Sequence, residues 1–271
     1  MDIAWLKRNI RSSWRYRGGV AAFFARLLFM YSDKLPGFMR RSQWVISFHY
    51  PQPIGNLRLL LRANKGADSF IHGEVFEQDY YRFELPFKPS TILDLGSNIG
   101  MTAIYFHRFF PHAELVCVEP IPGNLNALWE NLRLNAVKAI VISNAINPTD
   151  GHLLMEVGQK DYGHRVVRAD KTSGKQCIEV PAVSVPTLLR IMKWDRIGLL
   201  KIDIEGHEKV LLSENAGWLE LVDAICIECH DDFTPNDLRS LTECFGFLPP
   251  ERLPGIWLLK RRNGICFQKQ A

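Results

Sequence analysis

The stretch that most limits what this chain can fold into runs from Thr91 to Pro120, TILDLGSNIGMTAIYFHRFFPHAELVCVEP. It reads as strand, glycine turn, helix and strand, with an acid closing each strand. Ile92 and Leu93 form a β-rich apolar start that ends on Asp94, and Gly96 and Gly100 bracket a turn that needs backbone freedom. From Ile99 the apolar residues Ala103, Phe106 and Phe110 fall at helical spacing, Ser97 or Asn98 is placed to cap, and Pro111 stops the run. Leu115 to Val118 then give a short buried strand ending on Glu119. A unit of this kind implies an α/β fold built on a mostly parallel sheet.

A strand feeding a glycine turn and a helix gathers backbone N–H groups and a positive dipole at one spot above the sheet, where a nucleotide-like cofactor fits. An acid at the end of the second strand is placed to accept the ribose hydroxyls of an adenosine. Nicotinamide dinucleotide and S-adenosylmethionine compete for such a site. The dinucleotide fingerprint is G-x-G-x-x-G, whereas this turn is Gly96-Ser97-Asn98-Ile99-Gly100, opened by an Asp94 that repels a pyrophosphate. The sulfonium end of S-adenosylmethionine tolerates that acid better. A crossover with a purely structural glycine turn is the competing reading.

Beyond the unit, Pro122 suits a first helical turn, and Leu125, Leu128, Trp129 and Leu132 make an apolar stripe with Asn124, Asn131 and Asn135 on its flanks. A third strand, Ala139 to Ile142, ends in Ser143-Asn144-Ala145, which by position faces the adenine. From Asp150 to Ser184 short alternating runs separated by Gly158, Gly163 and Gly174 predict a β insertion. Upstream, Trp44 to Tyr50 and Leu57 to Leu61 predict a hairpin. The irregular, polar and aromatic run from Gly66 to Tyr81 reads as a lid over the ligand, with Glu74 and Tyr80 facing the acceptor; a surface connector with Phe70 and Phe76 packed inward competes with it.

A second dense motif runs Gly198-Leu199-Leu200-Lys201-Ile202-Asp203-Ile204-Glu205-Gly206-His207-Glu208. Leu199 to Ile202 is a buried strand, and Asp203 at its end lies where ligands sit in open α/β sheets. The strand Ala224 to Ile227 closes on Glu228-Cys229-His230. Thr234, Pro235 and Gly246 frame a helix with Leu238, Leu241 and Phe245 inward, and Ile256 to Leu259 gives a last strand.

The combination LLKIDIEGHE, DLGSNIG, VEPIPGNLNALWENLRLN and AICIECH resembles the FkbM family of class I S-adenosylmethionine-dependent methyltransferases over roughly residues 66 to 250. That resemblance implies a Rossmann-like, mostly parallel seven-stranded sheet with helices on both faces. It divides the chain into an N-terminal basic helical and hairpin extension, 1–65, and a methyltransferase domain, 66–271. It also implies O-methylation of a hydroxyl on a sugar, glycolipid, glycan or polyketide-like molecule. Cofactor contacts are expected at Asp94, Gly96, Ser97, Asn98, Gly100, Glu119, Pro120, Asn144, Ala145 and Asp203, with Glu205 and Glu208 near the acceptor.

A hydroxyl is a poor nucleophile, so transfer calls for a base. His230 is the expected base with Asp203 orienting it and Glu228 beside them. Alternatively Asp203, Glu228 and His230 hold a divalent cation such as magnesium that acidifies the alcohol.

The net charge of +4 on 271 residues does not argue for nucleic acid, and the acids of Asp-Ile-Glu-Gly repel phosphate. No nucleic-acid partner is expected, although a nucleic-acid methyltransferase and a non-catalytic surface or glycan-binding module remain as other classes. Six cysteines scattered without a signal peptide predict a cytoplasmic protein with reduced thiols. Residues 1–42 are basic, and Val20 to Tyr31 is apolar and aromatic but too short to span a bilayer, which takes about 20 residues. This segment docks on the catalytic domain or gives peripheral membrane contact.

Overall fold

The structure, a computed structural model, describes residues 43–62, 64, 66–156, 164–167 and 176–262. The segment 1–42 expected to dock or to touch a membrane lies outside them. Among the described residues no helix is long and apolar enough to cross a membrane.

The central sheet contains β3 (Thr91–Leu95), β4 (Glu114–Val118), β5 (Ile140–Ile142), β10 (Ile197–Ile202), β11 (Val222–Ile227), β12 (Glu251–Arg252) and β13 (Trp257–Lys260). Its order is β12-β13-β11-β10-β3-β4-β5. β5, β4, β3, β10 and β11 are parallel, and β13 runs antiparallel to both neighbours. The chain order reverses beside β3, so the carboxyl ends of β3 and β10 form the switch point where ligands bind.

Both faces of this sheet are covered. Ile92, Leu115, Cys117, Leu199 and Cys226 point into one apolar cluster. Their alternates Leu93, Val116, Val118, Leu200, Ile202 and Ile225 point into the other. This period of two, with both faces apolar, is what a parallel sheet between helix layers demands. The first face is packed by α1 (Ala67–Phe76), α2 (Met101–Phe109) and α3 (Pro122–Leu134), and the second by α4 (Val185–Met192), α5 (Glu208–Ser213) and α6 (Pro235–Thr242). As its sequence foretold, α6 opens on a capping box between Thr234 and Asp237 with Pro235 at its first position.

The expected hairpin is present as β1 (Gln43–His49) and β2 (Asn56–Arg62), antiparallel. Leu57, Leu59 and Leu61 enter the same cluster as Phe106 and Leu128. The expected β insertion is a second sheet, β6 (Ala145–Ile146), β7 (Gly151–Glu156), β8 (Arg165–Val166) and β9 (Cys177–Val183), ordered β6-β9-β7-β8.

Two expectations change. The run from Gly66 is not irregular, since residues 67–76 are helical. Its polar residues conceal the apolar stripe because they are buried and paired. Asp68 accepts from the Arg62 guanidinium at 2.8 and 3.0 Å. His72 stacks on Phe48 with 4.1 Å between ring centroids and lies 2.9 Å from the Tyr50 hydroxyl. Phe76 is buried as the connector reading held, whereas Phe70 is exposed.

The asparagines expected on the flanks of the α3 stripe are likewise buried. Asn131 is fully buried; it accepts from Leu60 N at 2.6 Å and donates to Leu60 O and Ile99 O. Asn135, one turn on, bonds both backbone groups of Arg58. The two amides thus act as a partner strand for the free edge of β2. Asn131→Leu keeps the branched shape but orphans three buried backbone groups, and stability should fall by about 3 kcal/mol. A urea unfolding midpoint unchanged from the parent would show that water replaces the amide without cost.

Candidate active site

The glycine turn is shaped by what surrounds it. Gly96 has φ 76°, and a Cβ there would overlap the carbonyl oxygen of Asp203, so a glycine lets the ends of β3 and β10 touch. Gly100 has φ 82°, and its Cβ would press on Leu128 of α3 at 2.5 Å. Gly96 N and Ser97 N donate to Val118 O, tying the turn to β4. Helix α2 starts at Met101 with Gly100 before it and no side-chain cap, so neither Ser97 nor Asn98 caps as expected. Ser97 Oγ donates instead to the Asp94 carbonyl, and Asn98, at φ 48°, sends its N–H to Glu119 Oε2 at 2.9 Å.

Glu119 closes β4 and is buried. Its Oε1 accepts from Ile121 N at 2.9 Å and Asn124 Nδ2 at 3.1 Å. Burial raises its pKa above the ordinary carboxylate value, opposed by these hydrogen bonds. Of the roughly four acceptor positions on a carboxylate, one remains on Oε2, and Glu119 borders the cavity. Nearby, Asn98 Oδ1 is buried without a hydrogen-bond partner.

Asp94 does not end its strand. It sits inside β3, fully buried, in register with Lys201 of β10. Lys201 Nζ lies 3.2 Å from Asp94 Oδ1 and 3.6 Å from Asp203 Oδ2, and donates to Gly96 O at 2.7 Å and Leu95 O at 3.2 Å. Thr102 donates to the other oxygen of Asp94 at 2.8 Å. Burial alone would discharge this lysine, but Asp94 and Asp203 hold its pKa above the ordinary value. Asp94 therefore acts behind the turn as the counter-ion of Lys201 and is absent from the cavity lining, as is Gly100. Sequence reasoning passed over Lys201, although a lysine within GLLKI signals a buried, paired cation.

After β10 the chain turns tightly, with φ 56° at Glu205 and 102° at Gly206. Glu208 folds this turn. Fully buried, it accepts from Ile204 N and Gly206 N, both at 3.0 Å, and lies 2.9 Å from His230 Nδ1. Its expected place beside the acceptor is corrected here, since both its oxygens are engaged inside the protein. Burial would raise the pKa of Glu208, yet His230 and the backbone donors hold it below the ordinary value, so it stays ionised and Nδ1 donates. Glu208, and not Asp203, orients the imidazole.

The other face of His230 meets the cavity. Nε2 stands 3.9 Å from Asp203 Oδ1, 3.8 Å from Glu205 Oε2 and 3.7 Å from Glu228 Oε1. Burial opposes the imidazolium, but the bond and charge of Glu208, with Asp203 and Glu228, lift the ring to about 9. Glu228 is raised to about 7 by burial and by Asp203. Glu74 of α1, which lines the same cavity, is raised to about 8 by burial and by Glu228 and Asp203, against a hydrogen bond from Tyr80.

One cavity joins these groups. Gly96, Ser97, Asn98, Glu119, Pro120, Asn144 and Ala145 line it together with Asp203, Glu205, Glu228, His230, Glu74 and Tyr80. Met155 and Val166 of the β insertion complete the wall. The arrangement suits an adenosine-type ligand at the glycine turn and a proton acceptor beside a second substrate.

Comparison with known proteins identifies the family. The chain matches the Methyltransferase FkbM domain over residues 94–248. It is 30% identical to Methyltransferase sdnD of Sordaria araneosa, covering 64% of this chain and 78% of that one. It is 24% identical to the 31-O-demethyl-FK506 methyltransferase FkbM of Streptomyces tacrolimicus, covering 68% and 84%. It is 25% identical to the hexuronic acid methyltransferase AglP of Haloferax volcanii, covering 61% and 67%. With the family match spanning more than half of its length, the chain belongs to the FkbM methyltransferases, S-adenosylmethionine-dependent enzymes.

Proposed function

We propose that the protein moves a methyl group from S-adenosylmethionine to a hydroxyl oxygen of a sugar, glycan, glycolipid or polyketide-like acceptor. The observation that carries this reading is His230, held by Glu208 on one side and turned to the cavity at the ends of β10 and β11 on the other. The names of two relatives, one for an O-methylation and one for a hexuronic acid, support it.

The residues present fit the cofactor. Gly96 brings backbone close to the ligand space, and Asn98 Oδ1 and the spare position on Glu119 Oε2 offer buried acceptors for its hydroxyl and ammonium groups. Asn144 and Ala145 border the end where the adenine would lie. When bound, S-adenosylmethionine supplies a methyl carbon on a positive sulfur that leaves as a neutral thioether. The protein's part is to bring the acceptor oxygen in line and to take its proton on His230 Nε2 as the new O–C bond forms.

One observation supports a second version of this chemistry. Asp203, Glu228 and His230 each offer a ligand atom, all within 4.8 Å of one another, a spacing that suits a divalent cation. Magnesium there would orient and acidify the hydroxyl. Activity that survives EDTA unchanged would remove this version; activity lost and restored by magnesium would remove the free imidazole as base. The same carboxylates oppose nucleic acid as an acceptor.

Calorimetric titration with S-adenosylmethionine tests the reading at its root, since absence of binding would end it. Glu119→Gln replaces an acceptor by an NH2 that faces Asn98 N–H, and the affinity should drop at least about tenfold. An unchanged affinity would move the ribose elsewhere.

A further inference from the structure

Part of the wall of the cavity that holds His230 comes from α1 and the loop after it, which precede the region matched to the family. Among the side chains of this wall that border the cavity are Phe70, with 55% of its surface exposed, Glu74 and Tyr80. Glu74 is hydrogen-bonded to Tyr80, and the Tyr80 ring packs so closely on Gly255 that a Cβ there would overlap it. Glu74 is thus tied to a ring that packs directly on the backbone at Gly255.

The titratable groups around this space are mostly acids. Glu74, Asp203, Glu205 and Glu228 all line it and act on one another's charge. Among the described lining residues there is no arginine, and the one lysine, Lys201, is spent on Asp94, Asp203 and two backbone carbonyls. His230 is engaged by Glu208 from behind and by three carboxylates in front. An acceptor bearing a carboxylate or phosphate next to its reacting hydroxyl would meet Asp203 and Glu205, and the one cationic side chain turned to the space among the described residues, His230, is already shared by three carboxylates. At contact distance inside a protein such repulsion lowers binding by about tenfold or more.

Resting on the methyltransferase reading above, we infer that the acceptor is taken as an uncharged, hydroxyl-bearing ring. Its apolar face lies on Phe70, its reacting hydroxyl at His230, and a neighbouring hydroxyl on the Glu74 carboxyl. An aromatic ring under the C–H face of a cyclic polyol with a carboxyl at its hydroxyl edge satisfies both sides of such a molecule. Glu74 is then a specificity-determining residue contributed from outside the shared family region.

The test uses the full chain and three acceptor sets: methyl glycosides of neutral hexoses, methyl glycosides of the matching hexuronic acids, and a neutral hydroxylated macrolactone. Transfer from isotopically labelled S-adenosylmethionine is read by mass spectrometry, and cofactor affinity by calorimetry. Neutral acceptors should be methylated with a kcat/KM at least about tenfold above the uronic acids, and the sugar and macrolactone arms tell the two sources apart. Glu74→Ala should raise KM several-fold more than it lowers kcat, with Glu74→Gln restoring KM and both variants binding S-adenosylmethionine as the parent does. Equal or better transfer to uronic acids, a parental KM in Glu74→Ala, or no transfer to any set while the cofactor binds would each overturn the inference. Failure to bind S-adenosylmethionine would instead remove the methyltransferase reading on which it stands.

Discussion

Replacing Lys201 by methionine should destabilise the fold by about 3–5 kcal/mol, as expected when one partner of a buried ion pair is removed. Asp94 is 0% and Lys201 1% exposed, so water cannot take the place of the lost ammonium. Asp94 would keep only the Thr102 hydroxyl on one oxygen, and the carbonyls of Leu95 and Gly96 would lose the donor they share. Asp203 would lose its neighbouring cation as well. The cost arises from stranding charge, which a second variant exposes. Lys201→Met combined with Asp94→Asn removes the stranded carboxylate and should recover a large part of the loss, giving a coupling energy well above 0.5 kcal/mol. Urea unfolding of the parent, both single variants and the double variant measures that coupling. Additive effects would mean that the two charges do not hold each other. A second consequence separates this role from packing alone, since the Gly96 carbonyl belongs to the cofactor turn and affinity for S-adenosylmethionine should fall in Lys201→Met.

What the sequence makes legible here is set by distance along the chain. The strand–turn–helix unit at Thr91–Pro120, the hairpin, the β insertion and the capped helix at Thr234 all follow from local period, glycine placement and capping chemistry, and each is present. The residues whose roles shifted are polar ones that meet partners far away. Asp68 and His72 look like solvated positions until Arg62, Phe48 and Tyr50 of the hairpin are folded over them. Asn131 and Asn135 read as helix flank because nothing local reveals that β2 lies 71 and 77 residues upstream with a bare edge. Glu208 stands among acids near the acceptor by its motif, and only the fold brings His230 onto it from 22 residues downstream. Within the candidate site the strand-end acids Glu119, Asp203 and Glu228 are exposed to sequence reasoning by the sheet's topology. The burial of Asp94 is not, because it depends on the register between β3 and β10.

Activity should climb as pH rises from neutral to about 9, and His230→Ala should lower kcat by about 10²–10⁴-fold while leaving cofactor binding intact. The sign follows from the site. A base accepts a proton only when Nε2 is free, and the surrounding carboxylates keep the imidazolium favoured until the pH passes the raised value of the ring. Below that value log kcat should therefore rise by about one unit per pH unit. Glu208 provides the control that separates orientation from charge. In Glu208→Gln the ring keeps a hydrogen-bond acceptor at Nδ1 but loses the negative charge that favours its protonated form. The rising limb should move to lower pH even if the peak rate falls. A role for Glu208 confined to folding the turn at Ile204 and Gly206 would lower the rate without moving the limb. The measurements belong in EDTA, because a divalent cation on Asp203, Glu228 and His230 would displace the proton and flatten the profile. A profile in EDTA that is level from pH 6 to 10 in the parent, or one that keeps its rising limb in His230→Ala, would take the proton away from His230. A rising limb that survives in His230→Ala and levels off near 7 would pass the proton to Glu228, raised to about 7 and 3.7 Å from the imidazole.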